Sequence, residues 1–386
     1  RYRRLYVFGG GKGEEITMKL CIAYPNRNNY SETFIHNHLT YLKPEITLSG
    51  GWRPYLTKEN ENIITIPAGE LIRIGIKRIL SGLYPYFYTH FLTKYLQKEK
   101  PDVLLAEYGI TGVAVMEACQ KTNTRLVVHF HGFDASHRPT IEQYRKKYKR
   151  LFEIAETIVV VSNDMAAQLI ALGAPESKVI NNPYGVEAQK FYGANPQQAE
   201  KIVLAVGRFT GKKAPHLTLK AFDKVLEKHP DAQLVMIGGG ELLVPSQKLV
   251  EEMKMRHAVQ LLGIKSPAEV AEWQRKARVF VQHSVVNPEN GDSEGTPNTV
   301  LEASAAGLPI VSTRHAGIKE AVDNEVTGFL VEEGDYLQMA DYLSLLLDDS
   351  ELAQKMGQQA SIKMKKEYEM QFRINKLNEI LQCGAR

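Results

Sequence analysis

The chain has 386 residues, of which 44% are hydrophobic and 24% charged, and a formal net charge of +4. This is the composition of an ordinary globular protein, which excludes a mostly disordered chain, a collagen-like fibre and a coiled coil. No apolar run approaches the roughly 18 residues of a membrane-spanning helix, and at about 100–200 residues per domain the length suits two or three domains. Cys21, Cys119 and Cys383 are too scattered for a disulfide framework or a zinc site, which fits a reduced, cytoplasmic compartment. Residues 18–184 carry 20 basic and 15 acidic side chains, and residues 185–386 carry 24 and 27. So mild a contrast suggests two units with different partners and is too small to argue for nucleic acid.

In chain order, residues 1–17 contain Gly9-Gly10-Gly11-Lys12-Gly13 and end before Met18. They read as a non-native or disordered extension, with Met18 a plausible natural start. Their Gly-Lys pair lacks the following Ser or Thr and the preceding strand of a phosphate loop. From Lys19 onward, short apolar runs alternate with helical patterns. Strands are predicted at 20–24, 63–66, 103–106, 126–130 and 158–161, with helices at 33–42, 111–121 and 140–152 between them. The second half repeats the scheme, with strands at 202–206, 234–237, 260–262, 279–282, 310–312 and 329–331 and helices at 215–228, 267–277, 299–306 and 336–347. Apolar strands separated by helices are the mark of a parallel sheet covered on both faces. The fold class is therefore α/β, with two doubly wound units. We expect a first domain over 18–184, a linker over 185–200, a second domain over 201–365, and a C-terminal helix over 366–386 that packs back toward the first domain. Open α/β sheets bind ligands at the carboxyl ends of their strands, and two such sheets can face each other across a cleft.

Four segments at strand ends carry side chains suited to chemistry. In Glu294-Gly295-Thr296-Pro297-Asn298-Thr299-Val300-Leu301-Glu302, a Gly/Pro loop runs into a helix. Its free N–H groups and the helix dipole can hold a phosphate oxygen, and its two carboxylates can accept sugar hydroxyls. A capped helix with solvated acids is the plainer alternative. Gly207-Arg208-Phe209-Thr210-Gly211-Lys212-Lys213 follows the 202–206 strand. It places Arg208 and one lysine where a diphosphate can be neutralised, although solvated basic turns are common. Gly238-Gly239-Gly240 at the next strand exit lets a ligand approach the backbone or serves as a simple turn. In His129-Phe130-His131-Gly132-Phe133-Asp134, strand alternation puts both histidines on one face. His131 lies nearer the carboxyl end, His129 reads as a satisfied buried histidine, and Asp134 can orient an imidazole or accept a substrate hydroxyl. The histidine pair has no third metal ligand at suitable spacing, so no metal is expected.

Taken together, these motifs resemble the GT-B fold, family-4-type retaining glycosyltransferases, from Met18 to the end. Val159–Ser162, Asn182-Pro183-Tyr184-Gly185-Val186 and Ala305-Ala306-Gly307-Leu308-Pro309-Ile310-Val311 add to the match. Ser31-Glu32-Thr33-Phe34-Ile35 after the first strand is similar to a subgroup acting on bacterial exopolysaccharides, such as colanic-acid-type enzymes. The resemblance implies two Rossmann-like domains facing a central cleft. It implies transfer of a sugar from a nucleotide-diphosphate sugar, most commonly UDP-linked, to a saccharide or lipid-linked acceptor, with retention and without a metal or other cofactor. By the same resemblance the catalytic group is His131, Arg208, Lys213 and Glu294. The donor would be held by Gly207, Arg208, Lys213, Gly238, Gly239, Glu294, Gly295, Thr296, Pro297, Asn298, Thr299 and Glu302, and the acceptor by Ser31, Glu32, Thr33 and Asp134. Pro25-Asn26-Arg27-Asn28-Asn29 stands where many relatives carry a Gly-Gly loop, a departure that bears on acceptor and diphosphate contacts.

Residues 70–97 mix Arg73, Lys77 and Arg78 with apolar residues and then Tyr84, Tyr86, Phe87, Tyr88 and Phe91, with Pro85 expected to interrupt any helix. Such a segment, with Arg145-Lys146-Lys147-Tyr148-Lys149-Arg150, suits peripheral contact with an anionic membrane, on the inner face of the plasma membrane for a cytoplasmic enzyme. An ordinary core helix with a basic outer face is the alternative. Two rival functions are a GT-B nucleotide-sugar epimerase or hydrolase, which needs no acceptor, and an inactive sugar-nucleotide-binding partner, whose mark would be a degraded site. Here Arg208, Lys213, Glu294 and Glu302 are all in place.

Overall fold

The computed structural model describes residues 18–26, 32–64 and 84–383. Two six-stranded parallel sheets organise it. The first contains β1 (Leu20–Ala23), β2 (Ile46–Leu48), β3 (Val103–Glu107), β4 (Arg125–His129), β5 (Thr157–Val160) and β6 (Val179–Asn181), in the order 2-1-3-4-5-6. The second contains β7 (Ile202–Val206), β8 (Gln233–Ile237), β9 (Val259–Leu261), β10 (Val279–Gln282), β11 (Ile310–Thr313) and β12 (Gly328–Val331), in the order 12-11-10-7-8-9. All five residues of β3 are buried, as a strand covered on both faces requires.

The helices, in chain order, are α1 (Thr33–Leu42), α2 (Tyr84–Glu99), α3 (Gly109–Thr122), α4 (Phe133–Ser136), α5 (Arg138–Ile154), α6 (Asn163–Ala171), α7 (Ala188–Phe191), α8 (Pro215–Lys228), α9 (Leu243–Glu252), α10 (Pro267–Lys276), α11 (Asn298–Ala306), α12 (Ile318–Ala321), α13 (Tyr336–Asp348), α14 (Ser350–Glu367) and α15 (Met370–Cys383). Local sequence explains several starts. Pro215 and Pro267 open α8 and α10, where a missing N–H costs nothing. Ser266 and Glu269 close a reciprocal capping box at α10.

Strand order reverses beside β1 in the first sheet and beside β7 in the second. These switch points open crevices at the carboxyl ends of β1/β3 and β7/β10. The chain passes between the units twice, and the two passages touch. Val186 N–H donates to Tyr368 O at 2.8 Å and Met370 N–H donates to Val186 O at 3.1 Å. A Cβ on Gly185 would lie 2.6 Å from Met370 Cα, so only glycine allows that contact. Helix α15 packs on α1 of the first unit, burying Ile374, Leu377, Ile380 and Leu381.

The structure departs from the sequence reading in identifiable ways. Strands β2 and β6, three-residue edge strands, were not predicted. The 63–66 strand is absent over its described part, since Ile63 and Ile64 lie in irregular chain. Pro85 lies at the start of the described part of α2, and the residues before Tyr84 on which its expected interruption of a helix turns lie outside the described residues. Tyr88 is buried and donates to Pro54 O at 3.0 Å, whereas Tyr86 is 75% exposed. The extension over 1–17, Ser31 and residues 65–83 of the basic segment lie outside the described residues. Among the described residues no helix is long and apolar enough to cross a membrane.

Candidate active site

The exits of β7, β10 and β11 converge on the Glu294 loop. After β7 the chain turns through Gly207 and Arg208 into a 3-10 turn, Gly211–Lys213. The aliphatic stem of Lys213 runs over Gly207, whose missing Cβ would sit 3.6 Å from Lys213 Cε. Lys213 Nζ reaches Glu294 Oε1 at 3.3 Å, with 14% and 10% of the two side chains exposed. Arg208 is exposed and has no ion-pair partner among the described residues. Arg208, Gly207 and Lys213 line one pocket with Gln282 and His283.

Lys212, the neighbour of the lysine that the resemblance names, turns inward. Its amine pairs with Asp292 at 3.2 Å and donates to Ser293 O at 3.2 Å, fixing the approach to Glu294. From the other side, His315 Nε2 accepts from Glu294 N–H at 3.1 Å and lies 3.0 Å from Ser293 Oγ, while His315 Nδ1 meets Glu333 Oε1 at 2.5 Å. A backbone N–H can only donate, so the ring proton belongs on Nδ1. Burial alone would raise the Glu294 carboxyl. Lys213 and Lys212 outweigh it and hold the group down to about 2. Burial also lowers the Lys213 amine, against the pull of Glu294.

Glu302 lies one turn into α11 and has no hydrogen-bond partner among the described residues. Burial pushes its carboxyl up to about 7. This is the behaviour of an acid that lacks a donor, which a ribose hydroxyl could supply. At the start of α11, no carbonyl among the described residues accepts from Asn298 N–H or Thr299 N–H, so both remain available to an anion. The side-chain donors there are already committed. Thr296 Oγ1 donates to Val161 O, Thr299 Oγ1 to Gln282 Oε1, and Asn298 Nδ2 to Thr33 Oγ1. Besides these two N–H groups, the start of α11 keeps one side-chain acceptor unpaired among the described residues, Asn298 Oδ1.

The Gly238-Gly239 exit has a different cause from the expected one. Gly238, at φ +146°, would place a Cβ 1.9 Å from Gly207 O, and a Cβ on Gly239 would meet the Ile264 side chain at 3.1 Å. The two strand exits interlock, with Gly207 N–H donating to Ile237 O and Phe209 N–H to Gly239 O. The absent side chains make room for the neighbouring turn, and thereby set the Gly207–Arg208 backbone.

In the first unit, three expectations change. His131 and His129 do share a face, with ring centroids 4.4 Å apart. The His131 ring, however, is buried and fully engaged, with Nε2 at 2.8 Å from Glu107 Oε2 and Nδ1 at 2.7 Å from Tyr184 OH. Its carbonyl, not its ring, lies beside Gly295. His129 is buried as expected but not satisfied, since neither ring nitrogen has a hydrogen-bond partner, and burial lowers its pKa. Asp134 is fully buried. Its oxygens accept from the backbone N–H groups of His131 at 2.9 Å and Gly109 at 2.7 Å. It therefore orients the loop rather than an imidazole or an acceptor. Strand alternation fixed the face but not depth, and these groups lie too deep.

The residue that ties this cluster together is Glu107, which sequence reading missed. His38 Nδ1 lies 2.7 Å from its other oxygen. Burial raises the Glu107 carboxyl, but His38 and His131 hold it below the usual carboxylate range. His38, Glu107 and His129 bring ligand-type atoms within 4.8 Å of one another, a grouping of residues far apart in sequence. Both Glu107 oxygens are already hydrogen-bonded, so the grouping reads as a carboxylate shared between imidazoles. At the end of β3, Tyr108 adopts φ 74° and ψ 141°, a conformation costing about 1–3 kcal/mol that surrounding structure must impose.

The units meet over these motifs. Ser293 N–H donates to Ser136 Oγ at 3.0 Å and Arg138 N–H to Asn290 O at 2.8 Å. A cavity of about 690 Å³ lies elsewhere, at the amino ends of β3 and β4, lined by Met18, Asp102 and Arg125 among others, far from the strand exits.

Residues 188–363 match the family Glycosyl transferases group 1, and residues 49–190 match Glycosyltransferase Family 4. The chain is 30% identical over 291 residues to the putative colanic acid biosynthesis glycosyltransferase WcaL of Escherichia coli strain K12, covering 74% of this chain and 71% of that one. It is 28% identical over 288 residues to the amylovoran biosynthesis glycosyltransferase AmsK of Erwinia amylovora, covering 73% and 70%. Its fold is shared with Anabaena HepE, crystallised with UDP, at a TM-score of 0.74 and 14% identity over 95% of this chain and 100% of that one. The paired parallel sheets, the Arg208…Lys213 turn and the Glu294…Glu302 loop thus belong to a chain of the group 1 and family 4 glycosyltransferases, built on the GT-B architecture.

Proposed function

We propose that this glycosyltransferase moves a sugar, with retention at the anomeric carbon, from a UDP-sugar to a saccharide or lipid-linked saccharide during synthesis of a cell-surface polysaccharide. The observation that carries the reading is the placing of Arg208 and Lys213 together at the β7 exit, facing Glu294. Two cations at one strand exit, Lys213 buried against Glu294 and Arg208 exposed beside it, stabilise a leaving diphosphate where its charge develops. Glu294, held ionised beside Lys213, accepts hydroxyls of the donor sugar. Glu302 accepts ribose hydroxyls, and the N–H groups of Asn298 and Thr299 meet a phosphate oxygen. The site residues supply this charge themselves, which supports transfer without a metal. The fully bonded His131 ring acts as a wall that positions Gly132 against Gly295.

UDP is favoured because HepE was crystallised with UDP and with UDP-glucose, and a polysaccharide product because AmsK and WcaL are named for amylovoran and colanic acid synthesis. The test is a thermal-shift screen of UDP-, GDP- and TDP-sugars in the presence of chelator, followed by mass spectrometry of products formed with saccharide acceptors. Stabilisation by UDP-sugars and acceptor-dependent product are expected. Loss of activity in chelator, or full turnover without acceptor, refutes the corresponding part. A cytoplasmic site of action at the inner membrane face is part of the same proposal, supported by exposed Tyr86 and Phe87 on α2 and by exposed Arg145, Lys146, Lys147, Lys149 and Arg150 on α5. Salt-sensitive flotation with anionic liposomes tests it, and no flotation at low salt removes it.

A further inference from the structure

Asp134 is buried and held by backbone N–H groups, so an acceptor must be met elsewhere on the first unit. The carboxyl ends of β1, β2 and β3 supply a place. After β2, Gly50 and Gly51 turn the chain at φ +105° and +108°, a left-handed pair that glycine adopts without strain. The turn is pinned on both sides, as Gly51 N–H donates to Pro25 O at 2.6 Å and Ser49 N–H donates to Leu56 O at 2.9 Å. Its next residue is Trp52, 38% exposed. The indole stands edge-on to Tyr108, with centroids 5.3 Å apart at 90°, and its N–H has no partner among the described residues.

Tyr108 is itself fixed. Its N–H donates to His129 O at 2.9 Å, its ring packs against Phe34 and His131, and its hydroxyl donates to Glu32 Oε1 at 3.0 Å. The unusual backbone angles of Tyr108 are thus held by contacts on all sides, and they aim the phenol at Glu32. Glu32 is half-buried; besides Tyr108 it meets the Asn26 side chain at 3.4 Å. The adjacent residue, Thr33, accepts the bond from Asn298 of the Glu294 loop. A carboxylate and a half-exposed indole whose N–H has no partner among the described residues therefore converge one residue from Thr33, one of the points where the two units touch.

We propose that Trp52, Tyr108 and Glu32 form the acceptor-sugar subsite. A pyranose ring lies with its C–H face on the Trp52 indole, one hydroxyl donates to Glu32, and a ring or hydroxyl oxygen accepts from the indole N–H. An aromatic face attracts the weakly positive C–H groups of a sugar at low conformational cost, and a carboxylate accepts hydroxyls. This deepens the glycosyltransferase reading, on which it rests. It assigns a pyranose sugar to the acceptor end and puts discrimination among sugars on Glu32.

The chain has two tryptophans, and the other, Trp273, lies in α10 of the second unit. Trp273→Phe therefore leaves Trp52 as the sole indole. With UDP present, that variant is titrated with methyl α-glucopyranoside, methyl β-galactopyranoside and methyl α-mannopyranoside, with glycerol as control. A saturable blue shift with at least one glycoside and none with glycerol is expected. Trp52→Ala should weaken binding of that glycoside about tenfold, with Trp52→Phe between the two, and Glu32→Gln should change which glycoside is preferred. Calorimetry reads these variants, and UDP should stabilise all of them as it does the wild type. No response to any glycoside while UDP still binds, or unchanged glycoside affinity in Trp52→Ala, overturns the subsite. Failure of UDP to bind the wild type instead refutes the donor reading and leaves the glycoside titration to judge the subsite alone.

Discussion

Replacing Lys213 with methionine separates what the lysine does for the fold from what it does for the reaction. Its amine stands 3.3 Å from Glu294 Oε1. At an effective dielectric of about 20, the gross attraction over that distance is about 5 kcal/mol, most of it offset by the desolvation of both groups. Removing one partner of such a buried pair typically costs about 3–5 kcal/mol. Lys212 also faces Glu294, so we expect the low end, about 3 kcal/mol. Loss of the diphosphate contact should lower turnover by a further factor of about 10²–10³. Lys213→Met with Glu294→Gln neutralises both partners, and should regain most of the stability while staying inactive. Chemical denaturation measures the first effect, and steady-state turnover with the best UDP-sugar the second. Wild-type turnover in Lys213→Met, or recovery of turnover in the double variant, refutes the assignment.

Glu302, raised to about 7 by burial from an ordinary 4.5, keeps its proton more tightly when folded than when unfolded. It therefore subtracts stability as pH rises between those values. Ribose hydroxyls bond best to its charged form, so calorimetric affinity for UDP-glucose should increase from about pH 6 to about pH 8 and lose that slope in Glu302→Gln. Glu107 has the opposite sign, because its folded carboxyl is held below the unfolded value of 4.5. Its contribution is present above pH 4.5 and is lost as pH falls below it, and Glu107→Gln should flatten the acid limb of a denaturation profile. Gly238→Ala places a methyl against Gly207 O and should cost about 3 kcal/mol, a drop of roughly 6–12 °C in the melting midpoint of the second unit. An unchanged midpoint would contradict the interlocking of the two turns.

The sequence carried most of the frame because buried parallel strands announce themselves. Ile202–Val206, Val279–Gln282 and Thr33–Leu42 have the predicted limits, each an unbroken apolar or amphipathic pattern. The three-residue strands at Ile46 and Val179 offer no such pattern. The Arg208–Lys213 turn and the Glu294 loop were legible for a related reason, since each is continuous in sequence and follows a strand or leads into a helix. The Glu107 cluster was not, because His38, Glu107, His131 and Tyr184 meet only through tertiary packing. His283 and His315 stood at the ends of β10 and β11, where the strand-exit rule could have found them. Lys212 and Lys213 differ only in which way a short 3-10 turn points each amine, so the residues alone left the choice open and the family resemblance named Lys213.

Helix α15 follows the second unit in the chain, yet it completes the first. Its apolar face covers α1, and Arg125 at the start of β4 bonds Gln382 O at 3.1 Å. Helix α15 emerges from the ribosome only after the second unit has been made, so until then the first must wait with that face of α1 uncovered. Removing α15 would therefore injure the first unit rather than the second, which precedes it in sequence. Expressing either unit alone calls for carrying α15 with residues 18–184 rather than with the second unit.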